Sequence, residues 1–288
     1  MEPQLGDHGR LPVILITGAA SGIGAAVARQ IAVQWRHNGV DGSSSGGCAA
    51  AAAAAAASGG PRFVLHTRAN KSGLEAVAAD VRAAGGTVEL VYTDLAESGG
   101  AAAIVGAAFK AFGGLDLVLA NAGFADPTTF EALTREGLDQ SFATMAFSFM
   151  ELAQAALPLL RLSKQPRIVA VSSFIAHRYG EPHREGAGLF VSSAASKAAL
   201  ESMVKSLARV VAPEGIPVNI VAPGHIEKDK AIGTDQGAAR REKIQAMVPM
   251  RRIGTPADVI GPVLFLLSEG ARYVTGQIIH CDGGLATL

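Results

Sequence analysis

The amino-acid sequence predicts an α/β fold: a single domain in which a doubly wound parallel sheet carries helices on both faces. Short apolar runs alternate along the chain with longer stretches of helical periodicity, the pattern of strands joined by crossover helices. With 288 residues, 49% of them hydrophobic, the chain is long enough to bury one large core. We therefore expect one domain over residues 11–288, preceded by a flexible N-terminus at residues 1–10.

The first predicted strand, Val13-Ile14-Leu15-Ile16, runs directly into a glycine-rich turn and an alanine-rich helix. The segment TGAASGIG at residues 17–24 has the glycine spacing G-x-x-x-G-x-G. Gly18 can supply backbone angles closed to other residues, Gly22 admits an anion close to the main chain, and Gly24 allows tight packing of the helix on the strand. Because the free N–H groups of the helix start face this turn, the segment predicts a phosphate-binding site.

An insertion interrupts the pattern after the first helix. A stretch rich in glycine, serine and alanine at about residues 39–60 precedes the second predicted strand, Arg62 to Thr67. It is longer than such a connection requires, and its alanine tract has no amphipathic face. We therefore expect a mobile surface loop.

Further motifs follow in a fixed order along the chain. They are Asp94-Leu95 after a strand, Asn121-Ala122-Gly123 after the strand at 115–120, Val171-Ser172-Ser173 after the strand at 167–170, Lys197 in SSAASKAAL, Pro223-Gly224 after PVNIVA, and the closing stretches RRIGTPADVI and YVTGQIIHCDGG. Together with the glycine-rich turn, they resemble the short-chain dehydrogenase/reductase family from about residue 11 to residue 285. The resemblance implies a Rossmann-like fold and an oxidoreductase that uses a nicotinamide cofactor on a small molecule.

The end of the second strand indicates which cofactor is used. Family members that prefer NAD usually end this strand with an acidic residue, whereas here it ends in Thr67 followed by Arg68. A carboxylate would repel a 2′-phosphate, while the planar fork of Arg68 can pair with it, so we expect NADP(H). A solvent-facing arginine at a strand end is the alternative. The cofactor-binding residues that the resemblance implies are Thr17, Gly18, Ser21, Gly22, Ile23, Gly24, Thr67, Arg68, Asp94, Leu95, Asn121, Ala122, Gly123, Lys197, Pro223, Gly224 and Ile226.

The catalytic positions depart from the family pattern. The resemblance implies a Tyr four residues before a Lys, a Ser at the preceding strand end and an Asn on the central helix. Lys197 and Ser173 match, but Ser193 stands at the Tyr position and Met145 at the Asn position. An alkyl hydroxyl is a much weaker acid than a phenol, whose ordinary pKa is about 10. The usual Tyr–Lys pair is therefore absent, and Ser193 is expected to act as a hydrogen-bond partner.

A displaced acid is one explanation. Of the three tyrosines, Tyr92 belongs to the cofactor side and Tyr273 to the closing stretch, which leaves Tyr179, in the long segment after Ser173. His177 and His183, in the same segment, are rival acids because imidazoles ordinarily titrate near neutral pH. An exposed loop residue is the alternative for each.

A narrower resemblance supports this explanation. Residues 186–197 resemble the corresponding stretch of 2,4-dienoyl-CoA reductases, which also place Ser four before the Lys and draw a Tyr from the preceding loop. The sequence thus predicts an NADP(H)-dependent oxidoreductase that transfers hydride to a carbonyl or an activated alkene, with Ser173, Lys197, Ser193 and Tyr179 as the catalytic group. The alternative is a non-redox enzyme of lyase or dehydratase type, or a cofactor-binding pseudoenzyme that regulates a partner. Lys228, at a position where the family often has Thr, adds to this alternative.

Composition excludes several other classes. The formal net charge is zero without a basic patch, which argues against a nucleic-acid partner. Cys48 and Cys281 show no metal or redox spacing, so we expect no metal and a reducing, cytoplasmic location. No uninterrupted apolar run suggests a membrane span, and the N-terminus lacks the core of a secretion signal. The resemblance implies that the helix at 198–211, which carries an apolar stripe, and the segment at 276–284 form a homodimer or homotetramer.

Overall fold

The computed structural model describes residues 11–38, 60–177, 190–227 and 235–287. Within these residues, seven parallel strands form one sheet in the order β3-β2-β1-β4-β5-β6-β7. The strands are β1 Val13–Ile16, β2 Arg62–Thr67, β3 Thr87–Tyr92, β4 Leu117–Ala120, β5 Arg167–Val171, β6 Val218–Pro223 and β7 Ile278–Cys281. Strand order reverses between β1 and β4, so a crevice opens there at the carboxyl ends of the strands.

Helices cover both faces of the sheet. They are α1 Gly22–Asn38, α2 Lys71–Ala83, α3 Gly100–Phe112, α4 Arg135–Phe142, α5 Ser148–Leu160, α6 Val191–Val211, α7 Asp235–Met247 and α8 Pro256–Leu267. One buried core lies between the sheet and α1, α2 and α8, and a second lies between the sheet and α3, α5 and α6. Central strands such as β1 are therefore buried along their whole length, as parallel strands covered on both faces are. The predicted Rossmann-like fold in a single domain is confirmed.

Capping residues explain where several helices begin. The Asn70 side chain accepts a hydrogen bond from the Gly73 N–H at 3.1 Å and starts α2. Thr255 and Asp258 form a reciprocal capping box at the start of α8, where Pro256 occupies the first turn.

A π-helical turn, Ala143–Phe147, joins α4 to α5. The combined helical stretch, Arg135–Leu160, is long and apolar enough to cross a membrane. Half of its apolar window is nevertheless buried, and Phe149, Leu152 and Leu160 pack into the core beside the sheet. In this fold its length and apolar character are those of a core helix.

Most predicted elements lie where the pattern indicated. The second strand has the predicted bounds, the strand predicted at 115–120 spans Leu117–Ala120, and the helix predicted from residue 198 begins earlier, at Val191. The predicted N-terminus at 1–10 lies outside the described residues, as does the predicted insertion except for residue 60.

Candidate active site

The glycine-rich turn packs tightly against the end of β4. Gly18 has a φ of +65°, and a Cβ there would lie 2.9 Å from Ala122 Cα. A Cβ at Gly24 would lie 2.6 Å from the Gly18 carbonyl oxygen. Any side chain at either position would push the turn away from β4, because Cβ contacts shorter than 3.0 Å are essentially absent from real proteins. The turn therefore depends on glycine at both positions.

Thr17 and Asn121 tie β1 to β4 at the crevice. The buried Thr17 Oγ1 accepts hydrogen bonds from the backbone N–H groups of Asn121 and Ala122, both at 3.0 Å. In return, Asn121 Nδ2 donates to the carbonyl oxygens of Thr17 and Gly18 at 3.0 and 3.1 Å. The structure thus brings together the residues that the sequence assigned to one cofactor site.

An open cradle lies at the start of α1. Gly22 has a φ of +55°, and a Cβ there would meet nothing within 4 Å. Ser21 beside it is exposed, and Ile23 is half-buried. There is therefore open space beside Gly22, at the start of a 17-residue helix, where an anion is favoured. These residues fit the phosphates of a dinucleotide.

The far end of the crevice is formed by the residues after β2 and β3. Thr67 is buried at the end of β2, while the Arg68 side chain is 61% exposed. Arg68 Nη1 lies 3.7 Å from Asp94 Oδ2, and Asp94 Oδ1 accepts a hydrogen bond from the Ala96 N–H at 2.9 Å. Leu95 is buried beside Asp94. Arg68 thus presents a largely exposed guanidinium at the carboxyl end of β2.

Sequence reasoning missed His66, a buried residue in β2. Its carbonyl oxygen accepts from the Ala19 N–H at 2.8 Å, and its Nδ1 lies 3.5 Å from the Gly18 nitrogen. Its Nε2 lies 2.9 Å from the Thr93 carbonyl oxygen. Burial lowers the pKa of His66, so the ring is neutral, with Nε2 as donor and Nδ1 as acceptor. A histidine within the otherwise apolar run FVLHT was the available signal.

Lys197 lies buried in α6 beside the carboxyl end of β5. Its Nζ donates a hydrogen bond to the Val171 carbonyl oxygen at 2.6 Å. Burial lowers the pKa of Lys197 to about 8, and attraction by Glu201 opposes that shift. A Cβ at the exposed Gly123 would lie 3.4 Å from Lys197 Nζ, so the amine borders the crevice next to the Asn121-Ala122-Gly123 motif.

Met145 lies in the π-helical turn and faces the same place. It is 1% exposed, and its Sδ would also lie 3.4 Å from a Cβ at Gly123. Ser196 Oγ lies 3.9 Å from this sulfur. The position predicted to correspond to the family Asn therefore lies beside Gly123, as the Lys197 amine does, with a weakly polar thioether in place of an amide.

Ser193 is buried and holds the connection after β4. Its Oγ accepts a hydrogen bond from the Asp126 N–H at 2.9 Å and contacts the Phe124 carbonyl oxygen at 3.4 Å. Ser192 Oγ donates to Asp126 Oδ2 at 2.7 Å. We call Ser192, Ser193 and Asp126 the Asp126 latch. Hydrogen bonds from the Thr128 and Ser192 hydroxyls and the Thr128 N–H lower the pKa of Asp126, so the latch carboxylate stays ionised.

Ser173 begins a short helical turn after β5. Its half-buried side chain accepts from the Ile175 N–H at 3.4 Å. His177, at the end of this turn, places Nε2 2.8 Å from Glu201 Oε2. The imidazole therefore binds a carboxylate on α6, one turn beyond Lys197.

Neither described tyrosine stands at the Ser193 position. Tyr273 is fully exposed, and Tyr92 ends the edge strand β3, with Lys71 Nζ 5.4 Å from its ring centre. Tyr179 and His183 lie outside the described residues, as does Lys228.

The loop after β6 closes the other side of the crevice. Pro223 ends β6, and a Cβ at Gly224 would lie 2.7 Å from Asp282 Cα. Ile226 pairs with Gly254 in an isolated bridge. These contacts place the predicted Pro223-Gly224 motif at the carboxyl edge of the sheet.

Open doubly wound sheets bind nucleotides where the strand order reverses, and here the glycine-rich turn and the Lys197 amine border that point. Fold and site together define a dinucleotide-dependent oxidoreductase. The profile described as enoyl-(acyl carrier protein) reductase matches residues 42–286. The chain belongs to the short-chain dehydrogenase/reductase family, whose members act with NAD(P).

Relatives and solved structures agree with this assignment. L-rhamnose 1-dehydrogenase (NAD(P)(+)) of Azotobacter vinelandii is 32% identical over 278 residues, which cover 94% of this chain and 95% of that protein. 3-oxoacyl-(acyl-carrier-protein) reductase of Escherichia coli is 30% identical over 275 residues, covering 95% and 96%. A short-chain dehydrogenase from Burkholderia cenocepacia, solved in complex with NADP, is 28% identical with a TM-score of 0.77, covering 98% of this chain and 99% of that one.

Proposed function

We propose that this protein uses NADP(H) to reduce a carbonyl group or an activated alkene of a small-molecule substrate. The observation that carries the proposal is the buried Lys197 amine beside Gly123, at the switch point of a sheet whose glycine-rich turn fits a dinucleotide. When bound, the nicotinamide supplies or accepts the hydride. The chain itself orients the reactants and supplies the proton.

The preference for NADP(H) is supported by the end of β2. Arg68 is largely exposed beside Asp94, and Thr67 stands where a carboxylate would favour an unphosphorylated ribose. A guanidinium can pair bidentately with a phosphate that approaches from solvent. The Burkholderia relative was solved with NADP.

Ser173 and Lys197 take the binding roles. The Ser173 hydroxyl is half-exposed beside the crevice and would donate a hydrogen bond to the substrate oxygen. Lys197 would hold the ribose hydroxyls on the nicotinamide side and, protonated below about pH 8, would favour negative charge developing on the substrate.

The proton donor is proposed to be Tyr179. Ser193 is supported as a hydrogen-bond partner of the substrate-side connection, because its hydroxyl already serves Asp126 and Phe124. His177 is directed to Glu201. Tyr179 is the phenol that remains for this role, with His183 as its rival.

Two exposed phenylalanines favour an apolar substrate. Phe124 and Phe130, in the connection that the Asp126 latch holds, are 41% and 69% exposed. Large apolar side chains open to solvent beside a crevice are typical of ligand contacts. An acyl chain or a ring next to the reacting carbonyl or alkene would cover them.

A hydride-transfer assay tests the proposal. Purified protein is incubated with NADPH or NADH and a panel of an aldose, a cyclic ketone, a 3-oxoacyl thioester and a 2,4-dienoyl thioester, and absorbance is followed at the nicotinamide band. We expect turnover with NADPH on at least one apolar substrate. NADPH binding without turnover on any member of the panel would favour the non-redox alternative, which the buried Met145 and the engaged Ser193 also favour.

Tyr179→Phe tests the donor. We expect turnover to fall by roughly 10²–10⁴, the range for losing a general acid, with NADPH affinity unchanged. Tyr273→Phe, at a fully exposed phenol, is the matched control and should leave turnover unchanged. Equal rates for Tyr179→Phe and the wild type would remove Tyr179 from the mechanism.

We also propose that the protein assembles as a homodimer or homotetramer in the cytoplasm. Val210 near the end of α6 is 68% exposed, and Phe147, the last residue of the π-helical turn, and Met150 in α5 are also exposed. Apolar side chains on neighbouring helices are suited to a two-fold contact. Light scattering at micromolar concentration should give a multiple of the 29.4 kDa chain mass, and a monomer would contradict the proposal.

A further inference from the structure

A buried carboxylate, Glu201, lies in α6 one helical turn beyond Lys197. The residue is 5% exposed. Glutamate is rarely buried to this degree unless its charge is compensated, because the loss of hydration is costly. Its partners therefore indicate what it does.

Both oxygens of Glu201 hold the turn that carries Ser173. Ser172 Oγ donates to Oε1, and His177 Nε2 lies 2.8 Å from Oε2. Ser172 directly precedes Ser173, and His177 follows it by four residues. One carboxylate on α6 thus fixes both ends of residues 172–177, which we call the Ser173 turn.

The same carboxylate acts on Lys197 through its charge. Residues four apart on a helix lie on the same face, and the attraction of Glu201 favours the charged amine against the effect of burial. Further ionisable groups lie next to His177. The His280 ring of β7 lies edge-on to the His177 ring with centroids 4.7 Å apart, and His280 Nδ1 lies 3.9 Å from Asp282 Oδ2.

We propose that Glu201 is a positioning residue, whose buried carboxylate fixes the Ser173 turn against α6 and places a negative charge on the helix face that carries Lys197. The kinetic consequences rest on the proposed hydride transfer, whereas the effect on Lys197 does not require it. Ser173, which faces the substrate, and Lys197, which faces the cofactor, would then both depend on the Glu201 carboxylate.

Glu201→Gln removes the charge and keeps the side-chain size. We expect kcat for NADPH-dependent turnover to fall about 10- to 100-fold, since a misplaced catalytic group costs rates of this order. The alkaline limb of the pH profile should also move to lower pH, because Lys197 loses its supporting anion. Glu151→Gln, on α5 and outside this cluster, is the matched control and should change neither kcat nor the position of the alkaline limb.

Two milder variants separate position from charge. Glu201→Asp keeps the anion but shortens the side chain, so kcat should fall while the alkaline limb stays in place. Ser172→Ala removes the donor to Oε1 and should likewise lower kcat without moving that limb. Circular dichroism and thermal melts are used to check that each variant folds. If Glu201→Gln does not fold, Glu201→Asp and Ser172→Ala still test the effect of position on kcat.

A direct titration tests Lys197 without cofactor or turnover. Protein carrying ¹³C-ε lysine is titrated by NMR, and the Lys197 signal is assigned with Lys197→Arg. We expect a midpoint near pH 8 in the wild type. In Glu201→Gln it should be lower by about one pH unit, the size of effect that a neighbouring opposite charge produces. Glu201→Asp should remain near the wild type.

The outcomes distinguish this inference from the proposed function. An unshifted Lys197 midpoint in folded Glu201→Gln, or in Glu201→Asp a midpoint that falls as far as in Glu201→Gln, would overturn the inference even if hydride transfer occurs. A wild type without turnover would contradict the proposed function, while the titration would still decide the role of Glu201.

Discussion

The two sides of the crevice are built on different principles. On the cofactor side, between β1 and β4, Thr17 and Asn121 bind backbone groups and the glycines leave space. On the substrate side, Ser193 and Glu201 use their side chains to hold a loop and a turn. Main-chain geometry thus specifies the cofactor site, whereas the chemistry of the substrate side depends on individual side chains and can change without altering the fold.

Lys197→Met should have the largest effect on turnover, because Lys197 is proposed to serve both the cofactor ribose and the substrate. We expect kcat to fall by roughly 10²–10³ through the loss of charge stabilisation beside the substrate. Lys205→Met, on the exposed side of the same helix, should leave kcat unchanged. If Lys197→Met retained most of its activity, the Lys197 amine would not act on both the cofactor and the substrate.

The lowered pKa of Lys197 gives this comparison a pH dependence. Turnover that requires the charged amine should decline as pH rises through about 8. Between about 8 and the ordinary lysine value of 10.5, the unfolded chain binds more protons at this residue than the native chain. The free energy of unfolding of the wild type should therefore rise with pH in this window relative to that of Lys197→Met. Urea denaturation of both proteins at several pH values from 7 to 9.5 measures the difference, and parallel curves would contradict it.

Arg68→Asp should act on the cofactor side alone. We expect NADPH binding to weaken by about 1–3 kcal/mol, the scale of a lost charge-assisted hydrogen bond, with a much smaller effect on NADH. Calorimetry on the wild type, Arg68→Asp and the exposed control Arg135→Asp measures both affinities. If NADPH and NADH bind equally well and the substitution alters neither, Arg68 does not contact the 2′-phosphate.

Ser193→Ala should have the smallest effect. The change leaves the Asp126 N–H without its acceptor, so we expect a modest loss of stability, about 1 kcal/mol, and less than a tenfold change in turnover. Ser192→Ala, which removes the other serine of the Asp126 latch, should behave similarly. A loss as large as that of Lys197→Met would instead make Ser193 the proton donor, and the substrate side would then use its side chains for chemistry as well as for structure.

The same contrast explains how much the sequence could predict. The sheet, the bounds of β2 and the residues around the glycine-rich turn follow from local patterns of apolar residues and glycines. Ser193 was expected to be a hydrogen-bond partner, but its partner Asp126 was missed, as were His66 and Glu201. Each of these works through contacts between residues far apart along the chain; Ser193 and Asp126, for example, are 67 positions apart. No periodicity or turn signal encodes such a hydrogen bond. The role of Tyr179 stays a prediction.

The π-helical turn between α4 and α5 also sets the rotational phase of the central helix. Such a turn holds an extra residue, and one residue corresponds to about 100° of rotation in an α-helix. If the same residues formed an unbroken α-helix, α5 would be rotated by that angle relative to α4. Phe149, Leu152 and Leu160 would then leave the core beside the sheet unless α4 moved instead. The turn therefore lets both helices keep their present faces although the chain holds one residue more than a regular helix between them would need.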